Sequence, residues 1–362
     1  MYLVDYVREM RDVPTADVPF GEADLLLFAV LPYLNVREIV PASFEYGIPF
    51  REMAAQYAAC SENGKIPSGL IIPDEYGKAL SLTAHTRRYA GLRVCGYRSE
   101  IVPSEEKQFT ALTIASDDGA IFVSFAGTDD TVLGWKEDCN LAVDGTMPAQ
   151  KSAVAYLDEA LSAFDGRFST MGTSKGGHLA VYAAAQCRTP ERLVGAFDFD
   201  GPGFSHAFLD GAAFKAVSDR CLLIAPRYAM ISRILDNVPN VAVTRATKRG
   251  GYQHDCSCWL IENGAFVREP GFMPESDAFH DAFMDMMAQT TPTERSDATT
   301  TLFGLLEATG AKTLSELHSG RKRYLPEMLK GIRALPREKR KNLFSIVIRL
   351  STMFGTTIGF KR

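Results

Sequence analysis

The chain has 362 residues, 46% of them apolar and 23% charged, which excludes global disorder and leaves room for about two domains. Lys and Arg number 39 against 44 Asp and Glu, and this net charge of −5 gives no basic footprint for nucleic acid and no polybasic signal for anionic lipid. The seven cysteines are odd in number, and Cys256 and Cys258 form CxC without a second pair, which argues against a disulfide framework and a zinc site. Charged residues from Asp5 to Asp12 exclude a secretory signal, and Leu343 to Phe360, interrupted by Arg349, is too short and polar for a transmembrane segment. The default location is a reduced, cytoplasmic one.

In chain order, residues 1–64 read as helical, with Glu22 to Leu34 as a periodic apolar run and Pro32 as a kink or end. Residues 78–92 read as another helix. Tyr97 to Pro103, Phe109 to Ser116 and Ala120 to Phe125 read as strands, and Ser116-Asp-Asp-Gly119 as a hairpin turn. Helices at 149–163 and 177–187 then alternate with strands at Phe168–Met171, Leu193–Phe199, Cys221–Ile224 and Val241–Thr244. Such alternation predicts βαβ crossovers and a largely parallel sheet. Beyond about 270 only helices are predicted: Asp277–Ala288, Leu302–Ala308, Leu314–Leu317, Tyr324–Ala334 and Arg337–Met353, with Thr290-Thr-Pro-Thr-Glu as an N-cap and first turn. The expected organisation is a helical N-terminal part over 1–95, an α/β core over 96–268 and a helical C-terminal appendage over 269–362.

Four stretches carry chemistry. Gly172-x-Ser174-x-Gly176 lies between a predicted strand and an alanine-rich helix, the setting of a nucleophile elbow; the bland reading is a glycine-rich turn. Ile121 to Phe125 runs into Ala-Gly-Thr128 and a polar loop, followed by Trp135-Lys-Glu-Asp138. An oxyanion hole would take the backbone N–H of Thr128, with or without its hydroxyl, and the backbone N–H of Lys175. His254, in Gly250-Gly-Tyr-Gln-His-Asp-Cys-Ser-Cys-Trp, lies 80 residues after the serine and is the general-base candidate. His206 competes, His178 sits one turn past Ser174, and His85, His280 and His318 fall in predicted helices. For the acid, Asp200 at the C-terminal end of a predicted strand is preferred over Asp198, Asp138 and Asp255, the alternative being an Asx turn opening Gly201-Pro-Gly.

Taken together, these motifs resemble a bacterial family of uncharacterised lipase-like α/β-hydrolases, and more distantly the class 3 (fungal-type) triacylglycerol lipases. The resemblance spans about residues 1–265. Its marks are Leu3-Val-Asp-Tyr-Val-Arg-Glu, Pro19-Phe-Gly-Glu-Ala-Asp-Leu-Leu, Phe125-Ala-Gly-Thr with Trp135 and Asp138, the elbow helix, Phe197-Asp-Phe-Asp-Gly-Pro-Gly-Phe and the His254 segment. It implies Ser174 as nucleophile, His254 as base and Thr128 and Lys175 as oxyanion donors. Two departures stand out: Ala126 where those lipases usually have arginine, and Cys221 to Ile231 without the carboxylate that they place there. The acid role therefore reverts to Asp200. The expected fold is an α/β-hydrolase-like, mostly parallel sheet with flanking helices and helical extensions at both ends. The expected function is a serine esterase or lipase-like hydrolase acting on a small-molecule or lipid ester, with no metal and no organic cofactor. An acyltransferase or thioesterase on the same fold, or a non-catalytic binding protein, are the alternatives, and oligomeric state is not legible.

Overall fold

Alternation along the strands builds the layers. On one strand Ile121, Val123 and Phe125 enter one buried cluster while Phe122 enters another, because successive side chains point to opposite faces. A sheet buried on both faces needs helices on both, and the computed structural model, which describes residues 1–60 and 72–357, supplies them.

The N-terminal face is covered by α1 (Leu3–Glu9), α2 (Glu22–Val30), α3 (Phe50–Cys60) and α4 (Asp74–Thr83), with a short edge strand β1 (Ile48–Pro49) between α2 and α3. The sheet continues through β2 (Leu92–Val102), β3 (Lys107–Ser116) and β4 (Ile121–Phe125), all antiparallel. Gly119, at φ 88°, closes the β3–β4 turn with the unusual dihedral expected of it. Then follow α5 (Val132–Asp144), α6 (Pro148–Ala163), β5 (Phe168–Thr173), α7 (Lys175–Gln186), β6 (Leu193–Phe199), the single turns α8 (His206–Leu209) and α9 (Ala212–Lys215), β7 (Cys221–Pro226) and β8 (Val241–Thr244). The eight strands lie in sequence order, and β4 to β8 are parallel. A two-stranded hairpin, β9 (Ile261–Glu262) with β10 (Ala265–Phe266), follows. Only helices come after it: α10 (Pro274–Gln289), α11 (Pro292–Ala308), α12 (Leu314–Ser319), α13 (Arg321–Ala334) and α14 (Arg337–Thr357). Thr291 and Glu294 form the capping box of α11, with Pro292 at its first position. The fold is thus α/β, a mostly parallel sheet with flanking helices. None of the described helices is long and apolar enough to cross a membrane.

Several elements differ from the sequence reading. Residues 1–60 form α1, α2 and α3 separated by irregular chain and the short β1; the predicted helical residues 61–64 lie outside the described residues. The helix predicted over 78–92 is α4, which ends at Thr83. The Thr83 and Thr86 hydroxyls donate to nearby backbone carbonyls, and the N–H groups of Arg87 and Arg88 turn away to the Arg11 carbonyl at 2.7 and 3.1 Å. β2 begins at Leu92, earlier than predicted. The polar loop expected after Thr128 is mostly α5, capped by the Thr131 side chain on Gly134 N–H and stopped by Gly145 at φ 81°. After the His254 turn Trp259 makes one isolated bridge to Ala246, and β9 follows at Ile261. The seven cysteines form no disulfide.

Candidate functional site

β5 runs parallel between β4 and β6 and turns into α7 at one residue, Ser174. That residue adopts φ 56°, ψ −133°, a conformation costing roughly 1–3 kcal/mol that persists only where the surroundings enforce it. They do so here. The Ser174 N–H donates to the Phe199 carbonyl at 2.9 Å, and a Cβ at Gly172 would lie 2.2 Å from the Gly176 carbonyl carbon. A Cβ at Gly176 would lie 2.1 Å from the Phe125 carbonyl oxygen. Backbone meets backbone at both places, so both glycines are obligatory.

β6 carries the carboxylate. Asp200 follows its last residue, at φ 54°, with its N–H on the Ile224 carbonyl at 2.9 Å and its side chain 1% exposed. Its Oδ2 lies 2.7 Å from His254 Nδ1. Asp200 Oδ1 is buried without a hydrogen-bond partner among the described residues, so the histidine is the polar group that this carboxylate serves. His254 ends a 3₁₀ turn whose preceding residue is tied on three sides: the Gln253 carbonyl accepts from Trp259 Nε1, its Oε1 accepts from Tyr228 N–H, and its Nε2 donates to the Lys248 carbonyl. With Nδ1–H given to Asp200, Nε2 is left with the lone pair.

The other candidates are otherwise engaged. Asp198 accepts the Gly201 N–H at 2.6 Å, and burial pushes its carboxyl well above the usual range. Asp255 pairs with Lys248 and accepts the Ser257 N–H. His206 is 77% exposed and lies 3.5 Å from Asp236. His178 is fully buried, with Nε2 2.9 Å from the Gln150 amide nitrogen and Nδ1 3.1 Å from the Pro202 and Gly203 carbonyl oxygens. Burial lowers its pKa to about 4. His85 is exposed, His280 Nδ1 meets the Arg233 carbonyl, and His318 belongs to α12.

At the end of β4 the Thr128 hydroxyl donates to Asp138 on α5. Burial raises the Asp138 carboxyl to about 6, against the lowering effect of Lys175 and of the Thr128 hydroxyl. The backbone N–H groups of Thr128 and Lys175 have no hydrogen-bond acceptor among the described residues. The Lys175 side chain points inward, 1% exposed, with Nζ 2.9 Å from Glu137 Oε2, 2.9 Å from the Gln108 carbonyl and 2.6 Å from Gln108 Oε1. Glu137 also accepts the N–H groups of Gln108 and Ala149. A buried ion pair so fully hydrogen-bonded ties α7, β3, α5 and the start of α6 together beneath Ser174.

The sequence reading missed Tyr33. Its hydroxyl donates to the Thr173 carbonyl and accepts from the Thr173 hydroxyl, both at 2.9 Å. A Cβ at Gly127 would sit 2.0 Å from that hydroxyl oxygen, which explains the glycine before Thr128. Nothing local in Leu31-Pro-Tyr announces a contact 140 residues away.

Thr128, Ser174, Lys175 and His254 line one cavity of about 680 Å³, within the roughly 300–1,000 Å³ range of ligand pockets. Most of its wall is apolar, and the C-terminal helices supply part of it, among them Phe279, Phe283 and Met286 of α10, Leu302 of α11, and Leu343 and Ile346 of α14. The structure therefore brings the predicted serine, histidine and both oxyanion candidates to one cavity and hydrogen-bonds the predicted acid to the histidine behind it.

A sequence model of the Mbeg1-like family matches residues 83–304, more than half of the chain. Comparison with curated proteins gave no match. Among solved structures, the chain is similar to a lipase–propeptide complex from Rhizomucor miehei, at 13% identity and a TM-score of 0.30, over 40% of this chain and 52% of that one. It thus spans about half the length of that relative. It is also similar to M37 lipase, at 12% identity and a TM-score of 0.38, over 59% of this chain and 70% of that one.

Proposed function

The chain belongs to the Mbeg1-like family, and from the geometry of its cavity we propose that it is a serine hydrolase that cleaves an ester-type bond. One observation carries the reading: the 2.7 Å contact of His254 Nδ1 with buried Asp200, in a chain whose strained Ser174 lines the same cavity as that histidine. Ser174 Oγ attacks the ester carbonyl while His254 Nε2 takes its proton. Asp200 stabilises the imidazolium and holds its tautomer. The Thr128 and Lys175 N–H groups receive the oxyanion, and the start of α7 adds its positive dipole end. The proton then passes to the leaving alcohol, and water, activated by the same histidine, releases the acid. Because the Thr128 hydroxyl is already given to Asp138, its backbone N–H is the donor assigned here. The apolar wall suits an acyl chain, which favours a lipid or other long-chain ester.

The test is fluorophosphonate labelling with hydrolysis of p-nitrophenyl esters. The native protein should label at Ser174, and Ser174→Ala should abolish labelling and lower turnover on the order of 10³-fold or more. Asp200→Asn tolerates the positive φ and preserves the shape, yet should lower turnover by about 10⁴-fold, the scale of this change in a serine protease triad. Labelling that persists in Ser174→Ala, or a folded native protein that neither labels nor cleaves, overturns the reading.

A further inference from the structure

The net charge of −5 conceals a strong segregation. Residues 321–341, covering α13 and the start of α14, hold nine Lys and Arg against only Glu327 and Glu338. Eight of the nine cations are exposed, and Arg340 is half-buried. None of the nine has a carboxylate partner among the described residues, whereas Lys107, Lys136, Arg245 and Lys248 elsewhere are all paired. A whole-chain sum averages over position, while a surface field depends on it, so the net charge does not register this patch.

Apolar side chains stand beside these cations. Leu325 and Leu329, one turn apart on α13, are 56% and 44% exposed, and Phe344 and Val347 of α14 are 44% and 39% exposed. Val347 also lines the cavity, with Leu343 and Ile346 of the same helix. One helix thus carries cations in its first two turns, exposed apolar groups next, and the wall of the Ser174 cavity beside them.

We propose that α13 and the first half of α14 dock the protein on an anionic lipid bilayer, with the exposed leucines and Phe344 entering the headgroup boundary. Lys and Arg attract the negative surface, and apolar side chains hold what the charge collects. The apolar groups distinguish this from a nucleic-acid surface, where they would have no partner. Docking through α14, which also lines the cavity, would bring a lipid ester toward Ser174; that last clause rests on the hydrolase reading, whereas docking itself does not.

The experiment uses the full chain carrying Ser174→Ala, so that chemistry plays no part, and sedimentation with phosphatidylcholine vesicles with or without 30 mol% phosphatidylglycerol as anionic probe. Binding to the anionic vesicles alone is expected, with loss in ~0.5 M salt, where screening is short-ranged. The triple variant Lys322→Gln, Arg323→Gln, Lys330→Gln should lower partitioning on the order of 100-fold. Leu325→Ser with Leu329→Ser should lower it on the order of 10-fold. In the otherwise native chain, the triple variant should label at Ser174 as the native protein does, which separates failure of docking from failure of the hydrolase reading. No binding to anionic vesicles, equal binding to neutral ones, or indifference to the leucine changes overturns the proposal. Binding of duplex RNA or DNA with the same salt dependence and no effect of the leucine changes would assign the patch to nucleic acid instead.

Discussion

Ser174 and His178 sit one turn apart on the same helix start and show how burial separates roles. Ser174 lines the cavity, whereas His178 is enclosed by Gln150 and two backbone carbonyls, which accept from Nδ1–H and leave Nε2 as acceptor for the Gln150 amide. Its folded pKa, about 4, lies below the unfolded value of about 6.5, so the unfolded chain binds the proton first. The stability this contributes is fully present above pH 6.5 and is lost as pH falls through 4, a span of about 3 kcal/mol. Asn can reproduce the Nδ1 donor but does not titrate. Urea unfolding of His178→Asn between pH 4 and 7 should therefore show a smaller acid-side decline than the native protein. Equal slopes would mean that the native imidazole is not held neutral. Asp138 has the opposite sign: its raised value favours the folded state below about 4 and withdraws that support as pH passes about 6. Its side chain keeps 31% exposure, so water screens its effect, and His178 should dominate the acid limb.

At the scale of elements, one buried carboxylate organises the N-terminal layer. Asp24 of α2 accepts both Nε and Nη2 of Arg88 at 2.7 Å, the Tyr6 and Tyr89 hydroxyls, and the Gly21 N–H. Both charged side chains are wholly buried. The Asp24–Arg88 pair joins α2 to the turn before β2, which is why residues after Thr83 leave the helix. Arg88→Met would leave Asp24 as an unpaired buried charge, at a cost of about 3–5 kcal/mol. Equilibrium denaturation should show that loss, and Asp24→Asn together with Arg88→Met should recover part of it. A single change costing under about 1 kcal/mol would show that water reaches the site.

The whole molecule closes its cavity with elements remote from the chemistry. α10 packs its Phe279, Phe283 and Met286 against the sheet layer, and α11 and α14 complete the apolar wall. Acyl length should therefore be set by the C-terminal helices. Met286→Trp fills space on that wall and should shift the preferred p-nitrophenyl ester to shorter chains. A loss of about 10-fold or more in kcat/KM for the longest ester is expected, with labelling by a small fluorophosphonate unchanged. An unaltered chain-length profile would place the acyl group elsewhere.

The sequence by itself determined what depends on neighbouring residues. The β3–β4 turn, the alternation from β5 to β8 and the α11 cap are local conformational preferences, and so is the demand for Gly172, whose Cβ would meet the Gly176 backbone four residues on; the demand for Gly176 comes from Phe125 of the neighbouring strand, which only the assembled sheet brings there. α5 carried its own signals, Thr131 and Gly145, but polar composition concealed them. Other features were decided only in three dimensions. Asp200 and His254 are 54 residues apart, and their contact depends on the placement of β6 and on the anchoring of the loop before Trp259. Tyr33 reaches Thr173, Arg88 reaches Asp24, and α14 reaches the cavity because hydrophobic burial packs helices onto a finished sheet. Burial carries no local code for which distant surface will be met, so those partners become legible only when the layers are assembled.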